Sequence, residues 1–184
     1  MSFDISKFRS AGLKSSGARP NLFDVKITGA PVQALKDIEF SLLCKIASIP
    51  TSTIGVIEVP YFGRNVKIPG NRTFDNLSVT VMNDEDFKIR NGIEQWMNSL
   101  NSHQNNKSAI TTAGQSGNLS GSMVIKHYDR AGNAISGAEW TFTSVYPVAL
   151  GEIALDWGSN DTIEEFTIDF AYDYWTHGQN TPNL

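Results

Sequence analysis

Three carboxylates follow an asparagine at Asn83-Asp84-Glu85-Asp86, the densest cluster of possible metal ligands in the sequence. A calcium loop of the EF-hand type needs alternating ligands, a central glycine and a distal glutamate, and these are missing. The run suits the first turn of a helix better. Asn83 or Asp84 can cap free N–H groups there, and Glu85 and Asp86 meet the positive end of the helix dipole.

Other catalytic and ligand-binding patterns are incomplete in the same way. Gly12-Leu13-Lys14-Ser15 lacks the glycine that a phosphate-binding loop places directly before its lysine. Asp156 and Asp173 stand near aromatic residues, but nothing in their spacing indicates a carboxylate pair for sugar hydrolysis. No serine lies in a Gly-x-Ser-x-Gly elbow. The histidines are scattered, at positions His103, His127 and His177. We therefore predict no catalytic residue, no cofactor and no metal site.

Composition narrows the function further. The 184 residues are 40% hydrophobic and 18% charged, with a net charge of −4. That length suits one domain with a real core, and the acidic balance argues against a protein that grips nucleic acid. Cys44 is the single cysteine, so no intrachain disulfide can form. The sequence shows neither a membrane-spanning apolar stretch nor a signal-peptide pattern, and we expect a cytoplasmic site of synthesis without membrane insertion.

Hydrophobic alternation with a period of two dominates the chain and predicts strands, one face of each being buried. The predicted strands lie at about 21–28, 38–46, 54–59, 65–68, 77–83, 121–128, 135–146, 151–157 and 163–175. Apolar residues at helical spacing predict one helix over 84–101, followed by a long polar loop over 101–120. The expected fold is mainly β, with two packed antiparallel sheets or a partly closed barrel and one flanking helix. We place an N-terminal arm at 1–20, the β-domain at 21–175 and a C-terminal tail at 176–184.

Aromatic side chains supply most of the predicted core. The predicted core residues are Trp96, Trp140, Phe142, Trp157, Phe170, Tyr172, Tyr174 and Trp175. The alternative is a carbohydrate-binding platform built from Trp140, Trp157, Tyr172, Tyr174 and Trp175. We favour the core, because the rings of the last strand all project from one face.

Seven short strings resemble the tail tube protein of contractile-tailed phages (myoviruses), in the family's order. They are Ala18-Arg19-Pro20-Asn21-Leu22-Phe23, Arg72-Thr73-Phe74-Asp75, Val79-Thr80-Val81-Met82-Asn83-Asp84-Glu85, Tyr146-Pro147, Gly151-Glu152-Ile153, Leu155-Asp156-Trp157 and Tyr172-Asp173-Tyr174-Trp175. The resemblance implies a structural virion protein whose six-membered rings stack head to tail into a conduit for DNA ejection.

The resemblance also implies a lumen sheet and an outer sheet in each subunit. Mapped by strand order, the lumen sheet would come from 38–46, 54–68, 121–128 and 135–146. The outer sheet would take 21–28, 77–83, 151–157 and 163–175. The candidate lumen-facing residues are then Glu39, Ser41, Lys45, Glu139, Thr141 and Thr143. A one-residue bulge would invert these faces.

The implied partners are further copies of the chain, sheath protein, tape-measure protein, and baseplate and tail-terminator proteins. DNA would pass through without specific binding, and assembly would take place in the host cytoplasm. Tube subunits of DNA-free contractile particles, bacteriocin-like or of type VI secretion, share the implied architecture and remain an alternative. A lectin-like sandwich is a second alternative.

Overall fold

The computed structural model describes residues 17–31, 35, 40–105, 107–108 and 119–178. Glu39 lies outside these ranges. So do most residues of three segments: the arm 1–20, the loop 101–120 and the tail 176–184. The described elements are β1 (Phe23–Thr28), α1 (Phe40–Leu43), β2 (Cys44–Ala47), β3 (Ser52–Tyr61), β4 (Arg64–Phe74), β5 (Leu77–Met82), α2 (Lys88–Leu100), β6 (Gly121–Tyr128), β7 (Ala134–Leu150), β8 (Glu165–Ala171) and β9 (Tyr174–His177).

Two antiparallel sheets share the strand β7. The strand order is β1-β6-β7-β8-β5-β2, and β9 also pairs with β7. The β6 sheet is our name for the layer made of β1, β6, β9 and the first part of β7. The β8 sheet is the layer made of β2, β5, β8 and the last part of β7. β7 changes sheets near Ser144, whose φ of 58° is left-handed. The register of β6 against β7 also shifts between Gly121 and Met123. A bulge of this kind bends a strand and re-aims its side chains.

Alternating apolar residues build one core between the two sheets. In the β8 sheet, Leu77, Val79 and Val81 lie opposite Phe170, Ile168 and Phe166, and all six are buried. The β6 sheet adds Met123, Ile125 and Phe142 to the same core. Each such side chain contributes about 1.5–3 kcal/mol when fully buried. The predicted fold class, two antiparallel sheets with a flanking helix, is confirmed, and no closed barrel forms among the described strands.

The predicted helix exists but begins later than expected. α2 buries Ile89, Ile93 and Trp96 against the core. Its N-cap is Phe87, with φ 51° and no side-chain cap. The predicted cap at Asn83 or Asp84 is therefore wrong. Asn83 instead joins the start of β8, because its Nδ2 donates to Glu164 Oε2 at 2.9 Å. No helix in the described ranges is both long and apolar enough for a bilayer span.

Three predicted strands differ in the structure. Phe40–Leu43 is a helical turn, so the strand expected over 38–46 is reduced to β2. Residues 151–157 form a loop. The strand expected over 163–175 is broken at Tyr172 and Asp173, where the chain leaves β8 and enters the other sheet as β9. The amide of Asp173 donates to the carbonyl of Thr143 at this crossing, at 3.1 Å.

The predicted division of strands between sheets is also wrong. β2 pairs with β5 and β1 pairs with β6, whereas the mapping by strand order had placed β2 with β6 and β1 with β5. β3 and β4 pair only with each other within the described chain. Alternation within a strand reveals a buried face, but it carries no information about which strand lies beside it.

Candidate assembly surface

The hairpin formed by β3 and β4 is the most exposed regular element of the described chain. All ten residues of β3 are exposed, and so are nine of the eleven in β4. Its turn places Phe62 at φ 42° and Gly63 at φ 80°. Two consecutive left-handed residues give the tight turn whose twist matches that of a hairpin. An isolated two-stranded hairpin is marginally stable in water, which points to a partner.

The two faces of this hairpin differ in polarity. Ile57 lies opposite Ile68, and Val59 lies opposite Val66. Directly opposed residues share a face, so these four side chains form one apolar face, each of them 43–54% exposed. Glu58 and Lys67 face the other way and form an ion pair at 3.9 Å. Asn65 Nδ2 also donates to Glu58 Oε2 at 2.9 Å. The hairpin is therefore an amphipathic sheet with an uncovered apolar face, although Val56, 61% exposed, lies on the same face as Glu58.

The base of the hairpin is fixed at the junction of the two sheets. The Tyr172 hydroxyl donates to the Asp75 carbonyl at 2.7 Å, and the Phe74 ring packs near those of Tyr172 and Trp175. Thr51 donates a side-chain hydrogen bond to Asp75 across the base. Burial, reinforced by the negative charge of Asp75, raises the pKa of the Tyr172 phenol to about 12. These contacts fix the base of the hairpin, and the rest of the hairpin projects from it.

A second exposed apolar patch lies on the loop that joins β7 to β8, residues 151–164. Its large apolar side chains are Leu155, Trp157 and Ile163, with exposed fractions of 81%, 101% and 67%. Asp156 Oδ1 accepts the Gly158 amide at 2.9 Å and shapes the turn around Trp157. Arg90 Nη1 holds the start of the loop by donating to the Gly151 carbonyl at 3.1 Å.

The predicted aromatic core is mostly right. Trp96, Phe142 and Phe170 are fully buried, while Trp140, Tyr172 and Trp175 are partly buried and pack against the core. Trp157 and Tyr174 were predicted in the core and are exposed. Trp157 lies on the loop, and the break before β9 shifts the alternation so that Trp175 faces inward in place of Tyr174. Because these rings are divided between a loop, a core and a hairpin base, they form no common sugar platform.

The five lumen-facing candidates within the described residues fall on three elements. Glu139, Thr141 and Thr143 lie on β7, on the face opposite the buried Phe142, as predicted. Glu139 forms an ion pair with Lys126 at 3.2 Å. Lys45 on β2 pairs with Glu165 of β8, and Ser41 on α1 donates to Asp24 of β1. Ser41 thus lies on a helical turn and not on the predicted strand. That these residues face a channel stays a prediction.

The described residues contain no cluster of three or more His, Cys, Asp or Glu side chains able to hold a metal ion. Burial, with a smaller contribution from the charge of Asp24, raises the pKa of the Cys44 thiol to about 12. Such a thiol stays protonated near neutral pH and is a poor nucleophile. The two prominent features of the described surface are the amphipathic hairpin and the apolar loop, and both are suited to contact with another protein.

Comparisons with known proteins agree with an assembling subunit. The family model described as phage tail tube protein matches residues 18–178. The tail tube protein gp19 of Enterobacteria phage T4 is 33% identical over 158 residues, covering 86% of this chain and 90% of that protein. The tail tube protein of Serratia phage KSP90 is 27% identical over 171 residues, covering 91% and 93%.

Solved structures show the same fold at lower sequence identity. The tube-terminating cap of the anti-feeding prophage superposes with a TM-score of 0.64 at 17% identity, covering 90% of this chain and 93% of that one. At this identity the likeness shows the fold alone. The fold and its exposed hairpin define a β-rich structural subunit with no evident catalytic site in the described residues. The chain belongs to the phage tail tube family, as a homologue of the tube proteins of myoviruses.

Proposed function

We propose that this protein forms stacked hexameric rings that build the tail tube, the conduit through which DNA is ejected into the host. The observation that carries the proposal is the uncovered apolar face of the hairpin, Ile57, Val59, Val66 and Ile68. A surface of this kind is costly in water and favours association. The similarity to gp19 of phage T4 over most of both chains makes further copies of the same chain the natural partner.

Unpaired strand edges support association into rings. Among the described strands, β3 and β4 each have one neighbour, and β1 and β2 end the order of the larger sheet. Exposed edges invite pairing with other chains, and closing them into a barrel removes the hazard. In the proposed ring, the hairpin of one subunit covers its apolar face on a neighbour. The opposite face, with Glu58, Asn65 and Lys67, stays hydrated.

The proposed channel lets DNA pass without specific binding. Glu39, Ser41, Lys45, Glu139, Thr141 and Thr143 remain our candidates for its wall. The net charge of −4 does not favour tight binding to phosphate. Repulsion from the wall would be screened beyond about 8 Å at physiological salt. The role is structural, with no catalytic residue and no cofactor.

Within this function we propose sheath protein outside the tube and tape-measure protein inside it, with baseplate and tail-terminator proteins at the two ends. Assembly would take place in the host cytoplasm. The phage relatives favour this role over a DNA-free particle, because they match at 27–34% identity and the similar injection-system structures at 16–18%.

The experiment is assembly of the purified chain with its baseplate and tape-measure proteins, followed by sedimentation and negative-stain microscopy. We expect tubes from the native chain and from Asn65→Glu, which changes the polar face. Val59→Glu, on the apolar face, should keep its melting temperature but lose assembly. A native chain that stays a compact monomer under these conditions would refute the proposal.

A further inference from the structure

The hairpin and the loop 151–164 leave opposite ends of the β8 sheet. β4 leads into β5 at Leu77, which pairs with Phe170. The Ser48 amide, just past β2, donates to the Ser78 carbonyl at the same end. The loop instead enters β8 at Glu165, which pairs with Met82 at the far end of β5. Five rises of about 3.4 Å, from Leu77 to Met82, separate the two ends by roughly 17 Å.

The two projections are also complementary in chemistry. The hairpin carries three cations (Arg64, Lys67 and Arg72) against one carboxylate (Glu58), a net charge of +2. At its tip the Tyr61 and Phe62 rings meet edge to face at 4.7 Å, and Phe62 is 92% exposed. The loop carries no cation, and its carboxylates are Glu152, Asp156, Asp161 and Glu164. Both patches are therefore apolar and aromatic, with opposite charge.

We propose that the hairpin tip of one subunit docks on the loop 151–164 of a second copy in the adjacent ring. Phe62 would pack on Trp157 and Leu155, with Arg64 among the carboxylates of the loop. This inference deepens the proposed function and rests on it. Because the hairpin and the loop leave opposite ends of one sheet, the proposed contact is head to tail and does not close on itself, so that it propagates as a polar filament.

The observations favour a second copy over the sheath as occupant of the loop. A sheath contact would explain the exposure of Trp157 but would leave the cationic tip around Phe62 and Arg64 without a counterpart. Aromatic residues and arginine are the side chains that most often dominate binding at interfaces. The hairpin tip carries aromatic residues and an arginine, and the loop 151–164 carries carboxylates and a tryptophan.

The direct test replaces Trp157 with a photo-crosslinking phenylalanine analogue in assembled tails. Irradiation should yield a dimer of this chain, and peptide mapping should locate the link at Tyr61–Arg64. A product linked to sheath protein, or to a different segment of the chain, would overturn the proposal. Because assembled tails are the starting material, neither result would be confused with failure of the tube itself.

Charge reversal supplies the energetic test. Arg64→Glu should raise the concentration needed for ring stacking about tenfold, which corresponds to about 1.4 kcal/mol. Combining it with Asp161→Arg should restore stacking. Lys26→Glu on β1 reverses a charge at an exposed position outside both patches and should have little effect. Unchanged stacking by Arg64→Glu would refute the docking, whereas absence of rings in every chain, the native one included, would refute the proposed function.

Discussion

Gly92 of α2 lies directly against the side chain of Leu35. A Cβ built on Gly92 would lie 2.9 Å from Leu35 Cδ2 and 3.0 Å from its Cγ. Both residues are buried. The glycine in the middle of this helix is therefore explained by packing, since it gives the neighbouring leucine room to fill the space beside the helix.

This contact predicts the sign of Gly92→Ala. Alanine gains about 1 kcal/mol of helix propensity, but overfilling a packed site typically costs about 1–3 kcal/mol. We expect a net loss of stability of about 1 kcal/mol in urea unfolding. In a Leu35→Ala background the same change should stabilise the fold, because the clash is gone. Stabilisation by Gly92→Ala in the native background would contradict the packing.

Trp96 and Trp175 offer a matched pair for substitution by phenylalanine. Trp96 Nε1 donates to the Leu119 carbonyl at 2.7 Å, whereas Trp175 Nε1 is buried without a partner in the described part of the chain. Trp96→Phe should cost about 2–3 kcal/mol through the lost hydrogen bond and core volume. Trp175→Phe should cost less than about 1 kcal/mol, since it removes an unsatisfied donor. Equal losses in denaturant unfolding would show that the hydrogen bond does not distinguish the two sites.

Tyr172 should make stability fall at high pH. Its phenol pKa is raised from 10.0 to about 12 by burial and by Asp75. The unfolded chain therefore loses this proton first. The contribution is fully present below pH 10 and is lost as pH rises through about 12. Cys44 titrates in an overlapping range, so the comparison belongs in a Cys44→Ser background. There Tyr172→Phe should flatten the alkaline decline in free energy of unfolding, and an unchanged decline would assign it elsewhere.

Cys44 should be unreactive in the folded chain. With its pKa at about 12, roughly one thiol in ten thousand is ionised at pH 8, against about a quarter at the ordinary pKa of about 8.5. Labelling by a thiol-specific disulfide reagent should be at least about 100-fold slower in the native chain than in urea. Comparable rates in both states would show that the thiol is neither buried nor protonated as described.

The parts of the fold that were predicted correctly are those in which one face is buried along a whole strand. β5 and β8 alternate without interruption and pair in one register from Leu77 to Met82. α2 was found from its apolar stripe for the same reason. Its first residue was missed, because a separate turn precedes the helix: the Phe87 amide donates to the Asp84 carbonyl at 2.9 Å, and Phe87 itself has a left-handed φ of 51°.

The assembly surface was only partly predictable. Its strands were expected, but an alternating pattern looks the same whether its apolar face meets a core or a partner, so the exposure of Val59 and Val66 was not anticipated. Trp157 was placed in the core on residue type alone. The one signal against it was local: Asp156 and Gly158 around the ring are turn formers, and Asp156 does close a turn there. Ser41 was misplaced because Phe40 and Leu42 alternate in sequence yet belong to a helical turn.

The strand shared by the two sheets has a mechanical consequence. β7 is 17 residues of continuous chain, hydrogen-bonded to β6 and β9 along its first part and to β8 along its last. Neither layer can slide over the other without dragging this backbone through the bend at Ser144. A twisting force on one layer would therefore reach the other through covalent bonds as well as through side-chain contacts. In a contracting particle, the subunit would turn as a single rigid piece.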